Sequence, residues 1–320
     1  MDSLLRGICE SEGVFLRREA ESFGYHDREM ARLVRSGVWH RVRRGAYTFR
    51  DSWDQLNPHG QHLLLARAVL RTANTPVCLS HASSAIALGA DIWDIPLDEV
   101  HLTRHDGKCG RREAGVRQHR GVVLPEDLKV SGAVPHMSAT RTALEVTTIA
   151  DVEHSLVVVN SLLHRKLTTQ EALAERYQLM QFWPATLATD LVLRLCDDRI
   201  ESPGESRSAY LFFRGGIPRP KPQYDVFDEL GEFVGRVDFA WPDLGAFIEF
   251  DGKAKYTKFV REGETPGDVV LRERQREVRI CEVTGWRCLR LTWADLARPA
   301  ITAARIRAFL GLDGRVRPGT

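Results

Sequence analysis

Between Ile248 and Lys255 the chain reads Ile-Glu-Phe-Asp-Gly-Lys-Ala-Lys, and this octet constrains the C-terminal third more than any other stretch. Successive side chains of a strand point to opposite faces. Glu249 and Asp251 therefore share one face, and Ile248 and Phe250 take the other. Upstream, Asp238 sits near the end of another expected strand, Val234–Ala240. Acidic groups on adjacent strands suit Mg2+ (or Mn2+), a hard ion that takes oxygen ligands and keeps several waters. Such an ion lowers the pKa of a bound water and stabilises charge on a phosphate in the transition state. Asp238, Glu249 and Asp251 are the candidate metal ligands. Lys253 or Lys255 would orient the water or stabilise the transition-state charge. Glu205, on the preceding helix, is a further candidate for the same site, and these six residues are the expected catalytic set.

The elements around the octet follow from local signals. Ser202-Pro203 makes a helix start, and Glu205–Arg214 is an expected helix ended by Gly215-Gly216. Strands are expected at Lys221–Val226 and Ala246–Asp251, with a turn at Asp228–Gly231. A long charged helix is expected over Val269–Val283, a strand over Arg287–Thr292 and helix over most of Trp293–Leu310. Arg272, Arg274, Arg276 and Arg279, interleaved with Glu273 and Glu277, read as a solvated helix face with i,i+4 pairs.

This order resembles the PD-(D/E)XK nuclease superfamily, and within it the small DUF559 endonuclease-like domains related to very-short-patch repair enzymes. The matching residues are Ser202-Pro203-Gly204-Glu205-Ser206, Gly235-Arg236-Val237-Asp238-Phe239-Ala240-Trp241-Pro242 and Glu249 to Tyr256. Glu273-Arg274, Arg276-Glu277, Gly285-Trp286-Arg287 and Thr292-Trp293-Ala294-Asp295-Leu296 complete the match, which covers Glu201 to Leu296. The resemblance implies a restriction-endonuclease-like αβββαβ core that hydrolyses DNA phosphodiesters. Two departures stand out. The signature lysine belongs two residues after the second acid, where this chain has Asp251, and the section contains no histidine, which the very-short-patch mechanism uses.

At the other end, Leu4, Leu5, Ile8 and Cys9 have helical spacing, and Leu16 to Phe23 is a second short helix stopped by Gly24. Asp27 is a plausible N-cap for a third helix with Met30, Ala31, Leu33 and Val34 on its apolar face. Two short strands follow, with a turn near Arg44-Gly45. Three helices and a basic hairpin outline a winged helix-turn-helix. Arg28, Arg32 and Arg35 fall on one face of the third helix, suited to the major groove. Arg41, Arg43 and Arg44 make a basic wing suited to the DNA backbone or minor groove. Gly13-Val14-Phe15, the helix Asp27–Ser36, Gly37-Val38-Trp39 and the Arg44-Gly45-Ala46-Tyr47 ending resemble the AbiEi antitoxins of type IV toxin–antitoxin systems. Leu79-Ser80-His81-Ala82-Ser83-Ser84-Ala85 and Ser138-Ala139-Thr140-Arg141-Thr142-Ala143-Leu144 extend that resemblance into the middle section. In that family the N-terminal domain represses its operon and the remainder neutralises a nucleotidyltransferase-type toxin.

The expected organisation is therefore multidomain α/β (α+β): a winged helix over 1–53, a mixed α/β middle domain over 54–199 and the nuclease-fold domain over 200–312. The middle section holds eight histidines, His62 to His164, without H-E-x-x-H spacing; His81 reads as a local hydrogen-bonding residue. Net charge is only +2, so any DNA-binding surface has to be local. The six cysteines lack C-x-x-C or zinc-finger spacing and read as reduced thiols. No signal-peptide pattern and no apolar run of about 20 residues occurs, so a cytoplasmic protein without membrane contact is expected. The leading expectation is a Mg2+-dependent deoxyribonuclease acting in phage defence or repair. The alternative is a non-catalytic AbiEi-like antitoxin and repressor, with a homodimer left open.

Overall fold

The structure is a computed structural model that describes residues 2–106, 108, 110–113, 115–180, 183–252 and 265–313. It divides into two compact units. One comprises Met1–Val158 with Leu167–Leu193, the other Val159–Lys166 with Arg194–Thr320.

The first unit opens with α1 (Asp2–Glu12), β1 (Phe15–Leu16), α2 (Arg17–Ser22), α3 (Asp27–Arg35), β2 (Trp39–Arg43) and β3 (Ala46–Phe49). The strands form an antiparallel sheet in the order β1-β3-β2, which is winged-helix topology. The second helix starts one residue later than its sequence suggests. Phe15 and Leu16 pair with Tyr47 and Ala46, and the Glu19 carboxylate accepts the Leu16 N–H at 2.7 Å. Local helical spacing loses there to a strand partner 30 residues away. Leu5, Phe15, Ala20, Tyr25, Met30, Trp39 and Phe49 fill the core, with the Phe15 and Trp39 rings edge to face at 4.7 Å. Gly45, at φ +78°, supplies the left-handed residue that closes the wing.

After α4 (Arg50–Asp54) and α5 (Pro58–Thr72), the same unit builds a six-stranded mixed sheet. Its strands are β4 (Val77–Leu79), β5 (Val100–Arg104), β6 (Arg112–Glu113), β7 (Val116–His119), β8 (Leu128–Ser131) and β9 (Val134–Met137). Their order is β6-β7-β5-β4-β9-β8, with β4 antiparallel to β5 and parallel to β9, and β5 parallel to β7. Helices α6 (His81–Ala87), α7 (Ala139–Val146), α8 (Val152–His164), α9 (Gln170–Gln178) and α10 (Thr189–Leu195) accompany it. Ser138 and Thr169 cap α7 and α9 through their hydroxyls, and the stretch around Pro184 breaks the helix as its composition suggests.

The second unit runs α11 (Pro203–Arg214), β10 (Lys221–Phe227), β11 (Phe233–Trp241), β12 (Ala246–Asp251), α12 (Pro266–Thr284) and β13 (Arg287–Thr292). Two short helices follow, α13 (Trp293–Leu296) and α14 (Pro299–Phe309). The sheet order β10-β11-β12-β13 has two antiparallel pairs and then a parallel β12–β13 pair bridged by α12. This is the expected αβββαβ order, and the molecule is multidomain α+β. Phe212, Phe239, Ile248, Phe250 and Leu291 lie in one core between the sheet and α11, α13 and α14. Gly204 lets the start of α11 approach that core, since a Cβ there would meet the Phe250 ring at 2.0 Å.

Candidate functional site

The expected DNA-binding arginines divide by exposure. Arg28, Arg32 and Arg35 line the exposed face of α3, opposite Met30, which is buried, and Leu33 and Val34, which pack against the core. Arg32 has only a loose 3.6 Å pairing with Glu29. Arg41 and Arg44 are exposed on the wing. Arg43 departs from this set. It is half-buried and lines a cavity of about 180 Å3 with Val77, Leu102 and Glu113 of the six-stranded sheet and the neighbouring Arg111. Strand alternation sends Arg41 and Arg43 to one face, but a register shift between them against β3 breaks that geometry.

In the second unit, the register Phe239↔Ile248 sets Asp238 across from Glu249 on the adjacent strand. The surroundings of these acids are less expected. Glu249 is 7% exposed, and β13 places Arg290 directly beside it in register. Arg276 of α12 reaches Glu249 Oε1 at 2.7 Å, and Arg290 reaches Oε2 at 3.5 Å. Burial pushes the Glu249 carboxyl up, Arg276 and Arg290 pull it down, and Asp238 adds to the upward push. Arg290 also pairs with Glu277 at 2.5 Å and approaches Asp251 at 3.9 Å. Asp238 accepts the Phe250 N–H at 2.8 Å. Arg276 is thus not merely part of a solvated helix face: helix packing turns it inward onto the acid.

Glu205 is 3% exposed and occupied by its own helix start. Its carboxylate accepts from Ser202 Oγ at 2.6 Å, the Glu201 N–H at 3.0 Å and Gln223 Nε2 at 2.9 Å, while its N–H donates to Ser202 Oγ at 3.2 Å. Ser202 caps α11 by accepting the Glu205 N–H, and that cap was visible in the sequence. Among the described residues, no three of these carboxylates bring ligand atoms within 4.8 Å of one another. Arg276 is shared between Glu249 and Glu273, Arg290 between Glu249 and Glu277, and Glu205 is engaged at the start of its own helix. Lys253 and Lys255 lie outside the described residues.

Sequence reasoning missed a third cluster. His81 begins α6, His101 lies in β5 and His119 ends β7, and one ring nitrogen of each lies within 4.8 Å of the others. His101 Nδ1 and His119 Nε2 are 2.9 Å apart, and the His81 and His119 rings stack at 3.7 Å. His81 adopts a left-handed φ of +49°, uncommon for a residue with a side chain. Burial holds all three imidazoles far below the usual histidine range, with His101 at about 4 and His119 at about 3. Arg117 lowers all three further and cluster histidines lower His81 and His119, while Glu99 and Asp98 oppose the shift at His101. All three are therefore neutral near pH 7. Below them runs a buried ionic network. Glu145 accepts the His81 N–H at 3.3 Å and Arg141 Nε at 2.8 Å; Arg141 Nη1 lies 3.4 Å from Asp127, which Arg176 grips at 2.8 and 3.0 Å. Histidines 20 and 18 residues apart carry no motif spacing, and only the β5–β7 register and the β4–α6 turn gather them.

Comparison with known proteins bears on the first of these three regions. Residues 10–50 match the family described as "Transcriptional regulator, AbiEi antitoxin". The match takes in the end of α1, α2, α3 and the wing, so the N-terminal region is AbiEi-like. Two Mycobacterium tuberculosis proteins, "Uncharacterized protein Rv2248" (strain ATCC 25618 / H37Rv) and "Uncharacterized protein MT2308" (strain CDC 1551 / Oshkosh), are each 32% identical over 120 residues. That alignment is 37% of this chain, and the chain spans 41% of the length of these relatives. The crystal structure of RV2827C protein from Mycobacterium tuberculosis aligns with 70% of this chain and 87% of that one, at 14% identity and a TM-score of 0.39. No helix among the described residues is long and apolar enough to cross a membrane.

Proposed function

We propose that this chain is a DNA-binding transcriptional regulator of the AbiEi antitoxin type. The observation that carries the reading is the family match over 10–50, which falls on the winged helix that exposes Arg28, Arg32 and Arg35. In this reading α3 enters the major groove, where the three guanidinium groups meet base edges and phosphates. Arg41 and Arg44 of the wing contact the backbone, and Arg43, turned toward the six-stranded sheet, contributes less. The target is DNA upstream of the protein's own operon, and the natural partner is a nucleotidyltransferase-type toxin. A homodimer matching a two-fold operator belongs to the same proposal, as does a cytoplasmic setting. The expected domain boundaries at residues 53 and 199 remain part of this reading.

The test is fluorescence anisotropy on promoter DNA across a salt series. Arg32→Ala is expected to weaken binding about tenfold or more. Arg41→Ala is expected to weaken all sequences alike and to lower the salt slope by about 1. Unchanged affinity in both variants would remove the winged helix from DNA recognition.

A second reading is phosphodiester hydrolysis by the second unit. It is favoured by the αβββαβ order and by Asp238 facing Glu249 across adjacent strands. Incubation of supercoiled, linear and single-stranded DNA with Mg2+ or Mn2+ decides it against a Glu249→Ala control. Under the regulator reading neither protein nicks DNA. Metal-dependent nicking lost in Glu249→Ala would restore the nuclease and make the winged helix its targeting device.

A further inference from the structure

We propose that His81, His101 and His119 form a binding site for one late first-row divalent ion, with Zn2+ the best match. The site is separate from the DNA-binding face of α3 and from the carboxylates of the second unit, and it does not rest on the regulator reading.

The ligand set decides the class of ion. Three imidazoles and no carboxylate suit Zn2+, Co2+, Ni2+ or Cu2+ and do not suit Mg2+ or Ca2+. Three protein nitrogens leave a fourth tetrahedral position open, as in zinc sites that hold water or an exogenous ligand. His81 and His101 are each 6% exposed, whereas His119 is only half-buried, so the open position is reached past His119.

The distances fit with small adjustment. A tetrahedral Zn2+ with Zn–N of about 2.0–2.1 Å sets its nitrogens roughly 3.3 Å apart. The nitrogens here lie within 4.8 Å of one another, and the shortest contact, His101 Nδ1 to His119 Nε2, is 2.9 Å. Metal entry opens that contact by about 0.4 Å and fans the stacked His81 and His119 rings apart. In the tautomers that point a lone pair of each histidine at the ion, the ring proton sits on the nitrogen facing away. Strands β5 and β7 fix two of the Cα positions through paired backbone. The third is fixed by Ser80 Oγ, 2.9 Å from His81 Nδ1, and by Glu145, which accepts the His81 N–H. Outer partners of this kind orient ligating histidines in known metal sites. The left-handed backbone of His81 is the strain that such a constellation tolerates.

The test uses the full chain, freed of metal by chelator and titrated with Zn2+ or Co2+. We expect one equivalent to bind, with a cobalt spectrum of tetrahedral nitrogen coordination and a Zn2+-dependent rise in melting temperature. His101→Gln and His119→Gln should lose that equivalent and the thermal shift. Glu145→Gln should keep the stoichiometry and weaken affinity 10–100-fold, roughly, as outer-sphere substitutions do. If the histidine variants fail to fold, the spectrum of the unsubstituted protein still decides: a thiolate-to-cobalt charge-transfer band would assign the ion to cysteine and overturn the proposal. Absence of binding by the folded apo-protein at micromolar ion, or full binding in His119→Gln, would overturn it equally and leave a hydrogen-bonded histidine stack.

Discussion

Arg141 lies between two buried acids in the interior of the first unit. It is fully buried, donates to Glu145 at 2.8 Å, approaches Asp127 at 3.4 Å and stacks on Trp183 at 4.2 Å. Burial raises the Glu145 carboxyl, while the arginines hold Asp127 below its ordinary value despite burial. Arg141→Met fills similar volume but leaves the buried Glu145 without its guanidinium partner, Asp127 keeping Arg176, so it should cost about 3–5 kcal/mol, the range for breaking a buried ionic group. Urea denaturation measures this, and a loss below about 1 kcal/mol would mean that Arg176 and solvent compensate. Glu249 presents the opposite design, a buried acid with two guanidinium partners, Arg276 shared with Glu273 and Arg290 with Glu277. The E-x-D pattern was legible, but its neutralisation was not. Arg276 and Arg290 lie 27 and 41 residues from Glu249, and only α12 packing and β13 register deliver them.

At the scale of elements, the sequence signals that held were those with a local cause. Ser202 caps α11, Ser138 caps α7, and Gly285 ends α12 at φ +67°. Three short strands of the middle section carried no sequence signal. Val77–Leu79, Leu128–Ser131 and Val134–Met137 are three or four residues long, and too few alternations separate them from loop. Partner strands define them. The N-terminus of α11 offers a test of element packing, because Gly204 sits where a methyl group would strike Phe250. Gly204→Ala should destabilise by about 1–3 kcal/mol, the usual cost of overpacking, although alanine is the better helix former. A stabilised variant would mean that Phe250 moves freely, contrary to its place in the core.

At the scale of the whole molecule, net charge predicts almost nothing, since +2 over 320 residues conceals a cluster of exposed arginines on α3 and the wing. Protonation is more informative. His62 is buried between the Leu97 carbonyl at 3.0 Å and Ser83 Oγ at 2.8 Å, and burial lowers its pKa, with His59 adding to the effect and Asp98 opposing it. The unfolded chain then binds a proton near pH 6.5 that the folded chain refuses until lower pH. The stability this group contributes is present above about pH 6.5 and is lost as pH falls through the window beneath it. Urea midpoints of chelator-treated protein should fall between pH 7.5 and 5, a window to which His81, His101 and His119 also contribute, and His62→Gln should make that fall shallower without abolishing it. An unchanged slope in the variant would place the titration elsewhere.

The sequence by itself determined the winged helix, the αβββαβ order and the shared face of Glu249 and Asp251. Each follows from short-range physics: helix caps, turn residues, and the period-two alternation that fixes which side chains share a face. Tertiary structure alone decided what those side chains meet. It brought Arg276 and Arg290 onto Glu249 and turned Arg43 away from the exposed arginine face. It also gathered His81, His101 and His119 from three separate elements. Strand register and helix packing are set by the burial of the entire core, so contacts between residues tens of positions apart leave no spacing for a sequence to display.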